Sequence, residues 1–483
     1  MSDLLVMKFG GTSMGSAERM KVAAQIIADA RVKRPVAIVV SAMSKITDLL
    51  LDTMRHAEGG DRGGMDQNLA HLRKRHEDAC RELLPEAVQP VVRDKLEILI
   101  GEFERIANGM LMLGDRPIRS VDEAVAIGER LSSQLVAAYL DSTAGIRAQA
   151  VNGAEVIVTD AVFGSATPLL DQTRVKARAA MGPLLSAGIV PVMTGFNGST
   201  QDGRPTTLGR GGSDFSASIL ASVLDAAELW IWTDVDGIMT ADPRLVKDAA
   251  VLSEVTYAEA AELAYNGAKV LHPRTLAPLV EKKIPVYSKN SFNTGVPGTK
   301  IVPELRSSAG GARAVTSMAN VAMVSIEPAT STIPGTRIMA RALDALALTN
   351  AEVLTFSSSS YRQSFCFLVR REELGAALQA IEEALSLELT HGYVKPIEVE
   401  ENVGLIAVVG EGMRGVPGLA GRIFTAVSHE QVNIIAIAQG SSELTINLVV
   451  RRDGLEKAVR AIHRECGMCE LAQQPYGTAA PRD

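Results

Sequence analysis

The amino-acid sequence predicts an α/β protein with a largely parallel sheet, followed by two small α+β modules. Two patterns lead to this fold class. Up to about residue 290, short apolar runs alternate with stretches of helical period, as is typical of strands and helices in a parallel sheet. Beyond about residue 320, an apolar strand, a helix, two further strands and a final helix occur in this order twice, which indicates a tandem repeat.

The first part of the chain opens with a β-α-β pattern. Residues 4–9 and 36–40 are short apolar runs bounded by Gly or Pro, and residues 17–30 between them have the helical period. Residues 59–117 are polar and helical in period, so we predict a helical insertion or lid there. Further strands are predicted at 188–194, 228–233 and 284–288, and further helices at 173–186 and 213–224.

A linker is predicted where the composition changes. From about residue 292, Gly, Ser, Pro and Thr become frequent, as at domain boundaries. Apolar strands at 321–326 and 403–409 begin the two modules. The predicted organisation is a first domain over 1–300, a linker over 301–320, and modules over 321–395 and 403–472.

Composition and charge favour a function on small molecules. The chain has 483 residues, a formal net charge of −7 and a pI near 5.7, whereas nucleic acids and anionic membranes bind basic surfaces. No apolar run approaches the ~18 residues that span a bilayer, and the first residues lack the pattern of a signal peptide. We therefore expect a cytoplasmic protein that binds neither nucleic acid nor membrane.

The four cysteines do not indicate a disulfide framework. Cys80 and Cys366 stand alone, while Cys466 and Cys469 form a C-x-x-C near the end of the chain. Without a second pair, or histidines at ligand spacing, two small apolar residues are favoured over a metal or redox site.

The first candidate site is Lys8-Phe-Gly-Gly-Thr-Ser13, which follows the opening strand and precedes a helix. Gly10 and Gly11 let backbone amides approach an oxyanion closely, and Lys8 adds a positive charge for phosphate. A glycine turn beside a surface lysine explains the motif equally well. The sequence contains no G-x-x-x-x-G-K-[ST] phosphate loop.

The second candidate site is Gly209-Arg-Gly-Gly-Ser-Asp214, which opens a predicted helix. Consecutive glycines, the Arg210 guanidinium, and Ser213 or Asp214 at the positive end of a helix form an arrangement that binds anions. Helix capping by Ser213 or Asp214 is the alternative. Because capping explains neither the arginine nor the glycines, we favour an anion site.

Two further segments supply charged groups. Trp232-Thr-Asp-Val-Asp-Gly237 ends an apolar strand, where acidic groups can bind Mg²⁺ or ribose hydroxyls, and Arg244 follows it. Asn266-Gly-Ala-Lys-Val-Leu-His-Pro273 supplies Lys269. Taken singly, the first segment is also compatible with a turn and the second with a helix end.

Together the four segments favour phosphoryl transfer, which depends on positioning and charge neutralisation. They contain no convincing Ser/His/Asp or Cys/His set. A carboxylate acceptor is already a nucleophile and needs no general base. The combination therefore suits a kinase that forms an acyl phosphate better than one that phosphorylates an alcohol.

Gly410-Glu-Gly-Met-Arg-Gly415 has the G-x-G-x-x-G spacing of dinucleotide-binding loops. A dinucleotide fold needs several more β-α units after this motif, and the residues that follow match the small repeated module. Nucleotide binding is therefore not predicted here.

Five motifs, in one order along essentially the whole chain, resemble those of aspartate kinases. The resemblance implies an amino-acid-kinase fold followed by two ACT domains. It also implies that ATP, with Mg²⁺, phosphorylates the side-chain carboxylate of L-aspartate, the first step toward lysine, threonine and methionine. The motifs are Lys8-Phe-Gly-Gly-Thr-Ser13, Gly195-Phe-Asn-Gly-Ser199, Leu208-Gly-Arg-Gly-Gly-Ser-Asp214, Thr233-Asp-Val-Asp-Gly237 and Gly267-Ala-Lys-Val-Leu-His-Pro273.

The same resemblance implies roles for individual residues. Lys8 corresponds to the lysine that neutralises the transferring phosphoryl group, and Asp214 to the acid that organises the catalytic lysines. Glu129 matches the residue that holds the α-amino group of the substrate, and Arg210 the arginine that pairs with its α-carboxylate. Met239 stands where many relatives have a tyrosine. Further substrate contacts correspond to Ser41, Thr47 and Ser213, and ATP contacts to Lys8, Gly10, Gly11, Thr233, Asp234, Arg244 and Lys269.

The C-terminal half is most similar to the kinase portion of bifunctional aspartokinase–homoserine dehydrogenases, chiefly in Ile434-Ile-Ala-Ile-Ala-Gln-Gly-Ser-Ser-Glu443. We expect a monofunctional kinase or a kinase portion of a longer protein. In those relatives a glutamine in each ACT module is tied to threonine sensing. Gln439 matches one of them and Phe356 replaces the other, so feedback by threonine or by lysine is a hypothesis. Pairing of ACT modules implies a homodimer or a larger homo-oligomer.

Two other functions are open. An enzyme of the same fold could act on glutamate, acetylglutamate, carbamate or a nucleoside monophosphate, although Glu129 and Arg210 suit a free amino acid. A non-catalytic amino-acid sensor built on the ACT pair is the other alternative, and the intact lysine, arginine and aspartate motifs argue against it.

Overall fold

A computed structural model describes residues 3–268, 271–305, 311–330, 332–349, 351–361, 363–440 and 444–473. The backbone forms two compact units. The first comprises Met1–Ile238, Ser253–Tyr257 and Leu271–Glu304, and the second comprises Met239–Leu252, Ala258–Val270 and Leu305–Asp483.

The first three hundred or so residues contain both helices and strands, in agreement with the predicted α/β class. The elements up to the end of the helical region are β1 (Leu5–Phe9), α1 (Ala17–Arg31), β2 (Val36–Val40), α2 (Ile46–Glu58), α3 (Arg62–Leu83), α4 (Gln89–Leu113), α5 (Ile118–Val125) and α6 (Ile127–Ser142). They are followed by β3 (Ala148–Val151), β4 (Val158–Thr159), α7 (Leu170–Ser186), β5 (Val190–Thr194), β6 (Asn197–Thr200), β7 (Pro205–Thr207), α8 (Gly212–Val223), β8 (Glu228–Thr233), β9 (Glu254–Thr256), α9 (Tyr257–Tyr265), α10 (Pro273–Val280), β10 (Val286–Asn290) and β11 (Thr299–Val302).

An eight-stranded sheet forms the centre of the first unit, with strand order β3-β5-β2-β1-β8-β10-β11-β9. All of its pairs are parallel except that of β10 with β11. Every residue of β1 and β2 is buried, because helices cover both faces of such a sheet and its strands become continuous apolar runs. β4, β6 and β7 form a separate three-stranded sheet.

α3 and α4 lie in the span that was predicted to be a helical insertion. The buried side of each helix is formed by apolar residues at helical spacing, which include Leu69 and Leu72 of α3 and Leu96 and Phe103 of α4. These residues belong to the same core as β1 and β2, so the insertion packs onto the first unit itself.

The second unit contains the two predicted modules in the predicted order of elements. They are β12 (Ala314–Ile326), α11 (Gly335–Ala347), β13 (Thr355–Ser358), β14 (Phe365–Arg370), α12 (Leu374–Ala384), α13 (Ser386–Thr390), β15 (Glu398–Val409), α14 (Leu419–His429), β16 (Ile434–Gln439), β17 (Thr445–Arg451), α15 (Leu455–Glu465) and α16 (Met468–Gln473). One antiparallel six-stranded sheet of order β13-β14-β12-β15-β17-β16 joins the modules. The predicted fold class is confirmed.

Some element boundaries differ from those predicted. β12 begins at Ala314 instead of residue 321, because residues 314–318 also pair with β15. The backbone amide of Val315 also donates to the carbonyl oxygen of Thr240, at 2.8 Å, which ties the segment Met239–Leu252 to the second unit. The domain limits at 1–300, 301–320, 321–395 and 403–472 stay a prediction.

Among the described residues, no helix combines the length and the apolar character that crossing a membrane requires.

Candidate active site

A cavity of about 760 Å³ in the first unit lies where the chain leaves three neighbouring parallel strands. Its walls come from the loops that follow β1, β2 and β8, together with the start of α6 and the loop before α8. Ligands bind at this edge of open α/β sheets. The cavity brings together most of the predicted site residues, namely Lys8, Gly10, Gly11, Ser41, Thr47, Glu129, Arg210, Ser213, Asp214, Thr233 and Asp234.

Lys8 and Asp214, which both line the cavity, form an ion pair. Lys8 lies on the central strand β1, and Asp214 lies in the first turn of α8, with 2.5 Å between Nζ and Oδ1. The Lys8 side chain is only 9% exposed. A cation held this way is placed to neutralise an incoming anion without rearrangement of the protein.

The glycine loop after β1 lies close to the loops that follow β2 and β8. The amide of Gly10 donates to the carbonyl oxygen of Trp232 at 3.1 Å. A Cβ added to Gly11 would lie 3.3 Å from the carbonyl oxygen of Ala42, on the loop after β2. The two glycines therefore let the loops after β1, β2 and β8 converge around Lys8.

Residues 209–214 form a second glycine loop at the start of α8. Gly209 and Gly211 have φ of 73° and 68°, in the left-handed region that glycine adopts without strain. These two residues flank Arg210, whose exposed side chain lines the cavity. A Cβ on Gly195 would lie 2.8 Å from Cβ of Ser213, so the loop also depends on a glycine of a neighbouring segment.

Glu129 is a buried carboxyl group on the cavity wall. It lies in the first turn of α6 and is 4% exposed. Burial raises its pKa to about 8, while hydrogen bonds from the backbone amides of Ala42 and of Glu129 itself, and the charge of Lys8, act in the opposite direction. Its Oε2 atom has no hydrogen-bond partner among the described residues. A ligand cation reaching this oxygen would satisfy it.

The cavity also contains residues that were not predicted. Lys45 has a left-handed backbone, with φ of 65°, at the start of α2, which is uncommon for a residue other than glycine. Lys45 lies inside the segment from which Ser41 and Thr47 were chosen, so only its role was missed. The other unpredicted lining residues include Thr12, Met43, Asp48 and Phe196.

Arg244 and Gln439 lie outside this cavity. Arg244 belongs to the second unit, where its guanidinium pairs with Asp242 at 2.5 Å. Lys269 lies outside the described residues. Gln439, at the end of β16, lines a separate cavity of about 430 Å³ in the second unit. Phe356, the residue that replaces the second sensing glutamine, lines the same cavity, so the strands β13 and β16 bring the two positions together.

Comparison with known proteins identifies the family. Residues 3–290 match the amino acid kinase family, and residues 406–466 match an ACT domain. The chain is similar to aspartokinase 3 of Arabidopsis thaliana chloroplasts, with 31% identity over 98% of this chain and 84% of that protein. This chain belongs to the aspartokinase family.

Another relative of this aspartokinase chain is bifunctional aspartokinase/homoserine dehydrogenase 1 of Arabidopsis thaliana, with 34% identity over 95% of this chain and 50% of the relative. The chain therefore spans about half the length of the bifunctional relatives that it matches.

Solved aspartokinase structures are similar to this chain as well. The crystal structure of E. coli aspartokinase III in complex with aspartate and ADP (R-state) matches with a TM-score of 0.81 and 30% identity, over 96% of this chain and 99% of that one. The same E. coli enzyme in complex with lysine and aspartate (T-state) matches with a TM-score of 0.77. The family predicted from the sequence motifs is confirmed.

Proposed function

We propose that this chain transfers the γ-phosphoryl group of ATP to the side-chain carboxylate of L-aspartate, forming 4-phospho-L-aspartate. The observation that carries the proposal is one cavity that combines the Lys8–Asp214 ion pair, the buried Glu129 and the exposed cation Arg210. A relative of known structure binds aspartate and ADP. The reaction would supply the syntheses of lysine, threonine and methionine.

The charged groups of the cavity suit an amino acid held by its α-substituents. Glu129 would receive the α-ammonium group at its unpartnered Oε2 atom, and Arg210 would pair with the α-carboxylate, as its fork of donors allows. Ser41, Thr47 and Ser213 would donate hydrogen bonds to the substrate. Held at both α-substituents, aspartate would direct its side-chain carboxylate into the cavity.

Phosphoryl transfer would then depend on charge neutralisation. Lys8 would stabilise the negative charge on the transferring group, and Asp214 would hold the Lys8 ammonium in place. Gly10 and Gly11 would let backbone amides approach the phosphates, and Thr233 and Asp234 would contact the nucleotide. The acceptor is ionised before it reacts, so no side chain has to remove a proton.

The residues present also fit the Mg²⁺ that accompanies ATP. Asp234 offers a carboxylate on the cavity wall, and Mg²⁺ in kinases is commonly held by one or two carboxylates together with phosphate oxygens. The ion would neutralise charge on the phosphates. Arg244 and Lys269 are further proposed nucleotide contacts, on the basis of their motifs.

The second unit is proposed to bind a regulatory amino acid. Gln439 and Phe356 line one cavity in a region that includes an ACT domain match, and a structural relative binds lysine. Threonine and lysine are the candidate effectors. The proposed oligomeric state is a homodimer or a larger homo-oligomer. A cytoplasmic location stays a prediction. Addition of each amino acid, alone and together, to the kinase assay tests regulation, and no inhibition in any combination would contradict it.

Trapping of the acyl phosphate tests the proposed reaction. The purified chain is incubated with Mg-ATP and hydroxylamine and, in separate reactions, L-aspartate, L-glutamate or N-acetylglutamate, and both hydroxamate and ADP are measured. Aspartate alone is expected to give hydroxamate with equal release of ADP. Hydroxamate from another acid would favour a different acceptor, and no product from any acid in folded protein would favour the sensor function.

A further inference from the structure

Asp122 is a buried carboxylate outside the cavity that the mechanism above does not use. It lies on α5 and is 1% exposed. Its Oδ2 atom accepts from the amides of Gly164, at 2.8 Å, and Thr207, at 2.9 Å, and its Oδ1 atom accepts from the Thr207 hydroxyl at 2.8 Å. Burial raises its pKa, while these hydrogen bonds act in the opposite direction. A single side chain thus joins two segments that are distant in sequence.

Both of these segments are adjacent to the glycine loop that contains Arg210, one in sequence and the other in space. Thr207 ends β7, two residues before Gly209, and its carbonyl oxygen accepts from the amide of Ala166 at 2.8 Å. A Cβ on Gly209 would lie 3.0 Å from the Ser165 hydroxyl and 3.3 Å from the Gly164 carbonyl oxygen, so residues 164–166 pack directly against the loop.

The base of the loop is therefore fixed on both sides. Asp122 holds the amide and the hydroxyl of Thr207, and Ala166 holds its carbonyl. By contrast, Arg210 itself is exposed and lies between two glycines, which add no stiffness of their own.

We propose that Asp122 is a positioning residue for aspartate binding, which acts by fixing Thr207 and residues 164–166 so that Arg210 is held in place for the substrate α-carboxylate. This rests on the proposed function of the cavity. Displacement of a binding group by about 1 Å can reduce activity about 100-fold, so a distant anchor can have a large effect. The effect is expected in aspartate binding because Arg210 pairs with the bound substrate.

Two substitutions of Asp122 distinguish the effect of its hydrogen bonds from the effect of its negative charge. Asp122→Ala removes both acceptor oxygens and with them all three hydrogen bonds. Asp122→Asn keeps the connection, because its amide oxygen can accept from both backbone amides while its NH₂ group donates to the Thr207 hydroxyl. Thr173→Val is a matched control. Thr173 is also buried, and its hydroxyl accepts from the amide of Val158 at 3.0 Å, in strand β4 of the same three-stranded sheet as β7.

Affinity for L-aspartate is measured by calorimetry with a non-hydrolysable ATP analogue present, and KM for aspartate and for ATP by the hydroxamate assay. We expect Asp122→Ala to raise the aspartate Kd and KM by up to about tenfold, the loss expected on removal of Arg210 itself, and to leave the KM for ATP unchanged. Asp122→Asn and Thr173→Val should keep wild-type aspartate affinity. Should Asp122→Ala fail to fold, Thr207→Val removes one of the three hydrogen bonds and is expected to shift the aspartate Kd in the same direction, by less.

A double substitution decides whether Asp122 acts through Arg210. In an Arg210→Ala background, Asp122→Ala should have no further effect on aspartate affinity. Additive losses, an unchanged aspartate Kd in Asp122→Ala, or an equal loss in Thr173→Val would overturn the positioning role. Wild-type protein that binds aspartate without forming hydroxamate would contradict the proposed reaction but not the positioning role, and wild-type protein that does not bind aspartate would contradict both.

Discussion

Raising the pH is expected to strengthen aspartate binding through Glu129. Burial raises the pKa of this carboxyl group to about 8, well above its ordinary value of 4.5. At neutral pH it is therefore mostly a neutral acid, which must lose a proton before it can pair with the α-ammonium group of aspartate. Ionisation of Glu129 and binding of the substrate are linked.

The size of the effect follows from this pKa. With a pKa of about 8, about 3% of Glu129 is ionised at pH 6.5 and about 75% at pH 8.5. The KM for aspartate is thus expected to fall roughly 25-fold between these pH values and to level off above them. At pH 7, aspartate binding should release about 0.9 proton per site.

The raised pKa of Glu129 also makes the folded protein less stable as pH rises, whereas aspartate binding becomes stronger. Because the pKa in the folded state lies above the unfolded value, the native protein binds more protons than the unfolded chain between pH 4.5 and about 8. The contribution of Glu129 to stability is complete below this window and declines as pH rises through it, by on the order of 4 kcal/mol at pH 8. Glu129→Gln should therefore be more stable than wild type at pH 8.

Initial rates at saturating Mg-ATP, measured across this pH range at constant ionic strength, give the KM profile. Glu129→Gln is the control, since it removes this titration and leaves those of the substrate and nucleotide. The variant should show a high, pH-independent KM. A flat profile in the wild type, or an equally steep one in Glu129→Gln, would refute the role of Glu129 as the linked group. Calorimetry in buffers of different ionisation enthalpy measures the released proton independently.

Substitutions around the cavity give three further tests. Lys8→Ala should lower kcat by about 100-fold or more with an unchanged circular dichroism spectrum, since it removes charge stabilisation without opening a core; unchanged kcat in folded protein would contradict this. Arg210→Ala should raise the KM for aspartate about tenfold with that for ATP unaltered, and an unaltered aspartate KM would remove Arg210 from the substrate site. Gly195→Ala places a Cβ 2.8 Å from Cβ of Ser213 and should lower both melting temperature and kcat/KM. In the control Gly109→Ala, on α4, nothing lies within 4 Å of the new Cβ. A gain of about 0.5–1 kcal/mol with wild-type kinetics is expected there, and similar behaviour of both variants would contradict the close packing at Gly195.

The fully buried strands of the fold could be predicted because burial requires continuous runs of apolar residues. β1 and β2 are buried on both faces and consist almost entirely of apolar residues. Short strands such as β7 and β9 have only three residues each and carry no such trace. The start of β12 was missed because Ala314 and its neighbours become a strand only by pairing with β15, which is distant in sequence.

Glycine motifs predicted the loops of the cavity, but a glycine motif elsewhere in the chain has a different structural cause. Gly10 and Gly209 lie at the candidate site, as predicted. Gly410, in the G-x-G-x-x-G spacing, instead lies where an added Cβ would be 2.0 Å from the carbonyl oxygen of Gly311, so close packing of the backbone explains it. Asp122 gave no signal at all, because its partners Gly164 and Thr207 are brought together only by the fold.

Reduction of the acyl-phosphate product with borohydride, in a reaction without hydroxylamine, tests the central claim most directly, because it reports which carboxylate of aspartate is phosphorylated. An acyl phosphate on the side chain is reduced to homoserine, whereas one on the α-carboxylate gives 3-amino-4-hydroxybutanoate. With the α-carboxylate held by Arg210 and the side-chain carboxylate next to Lys8, homoserine alone is expected. Formation of 3-amino-4-hydroxybutanoate, or of neither product by folded protein supplied with Mg-ATP and aspartate, would contradict the account.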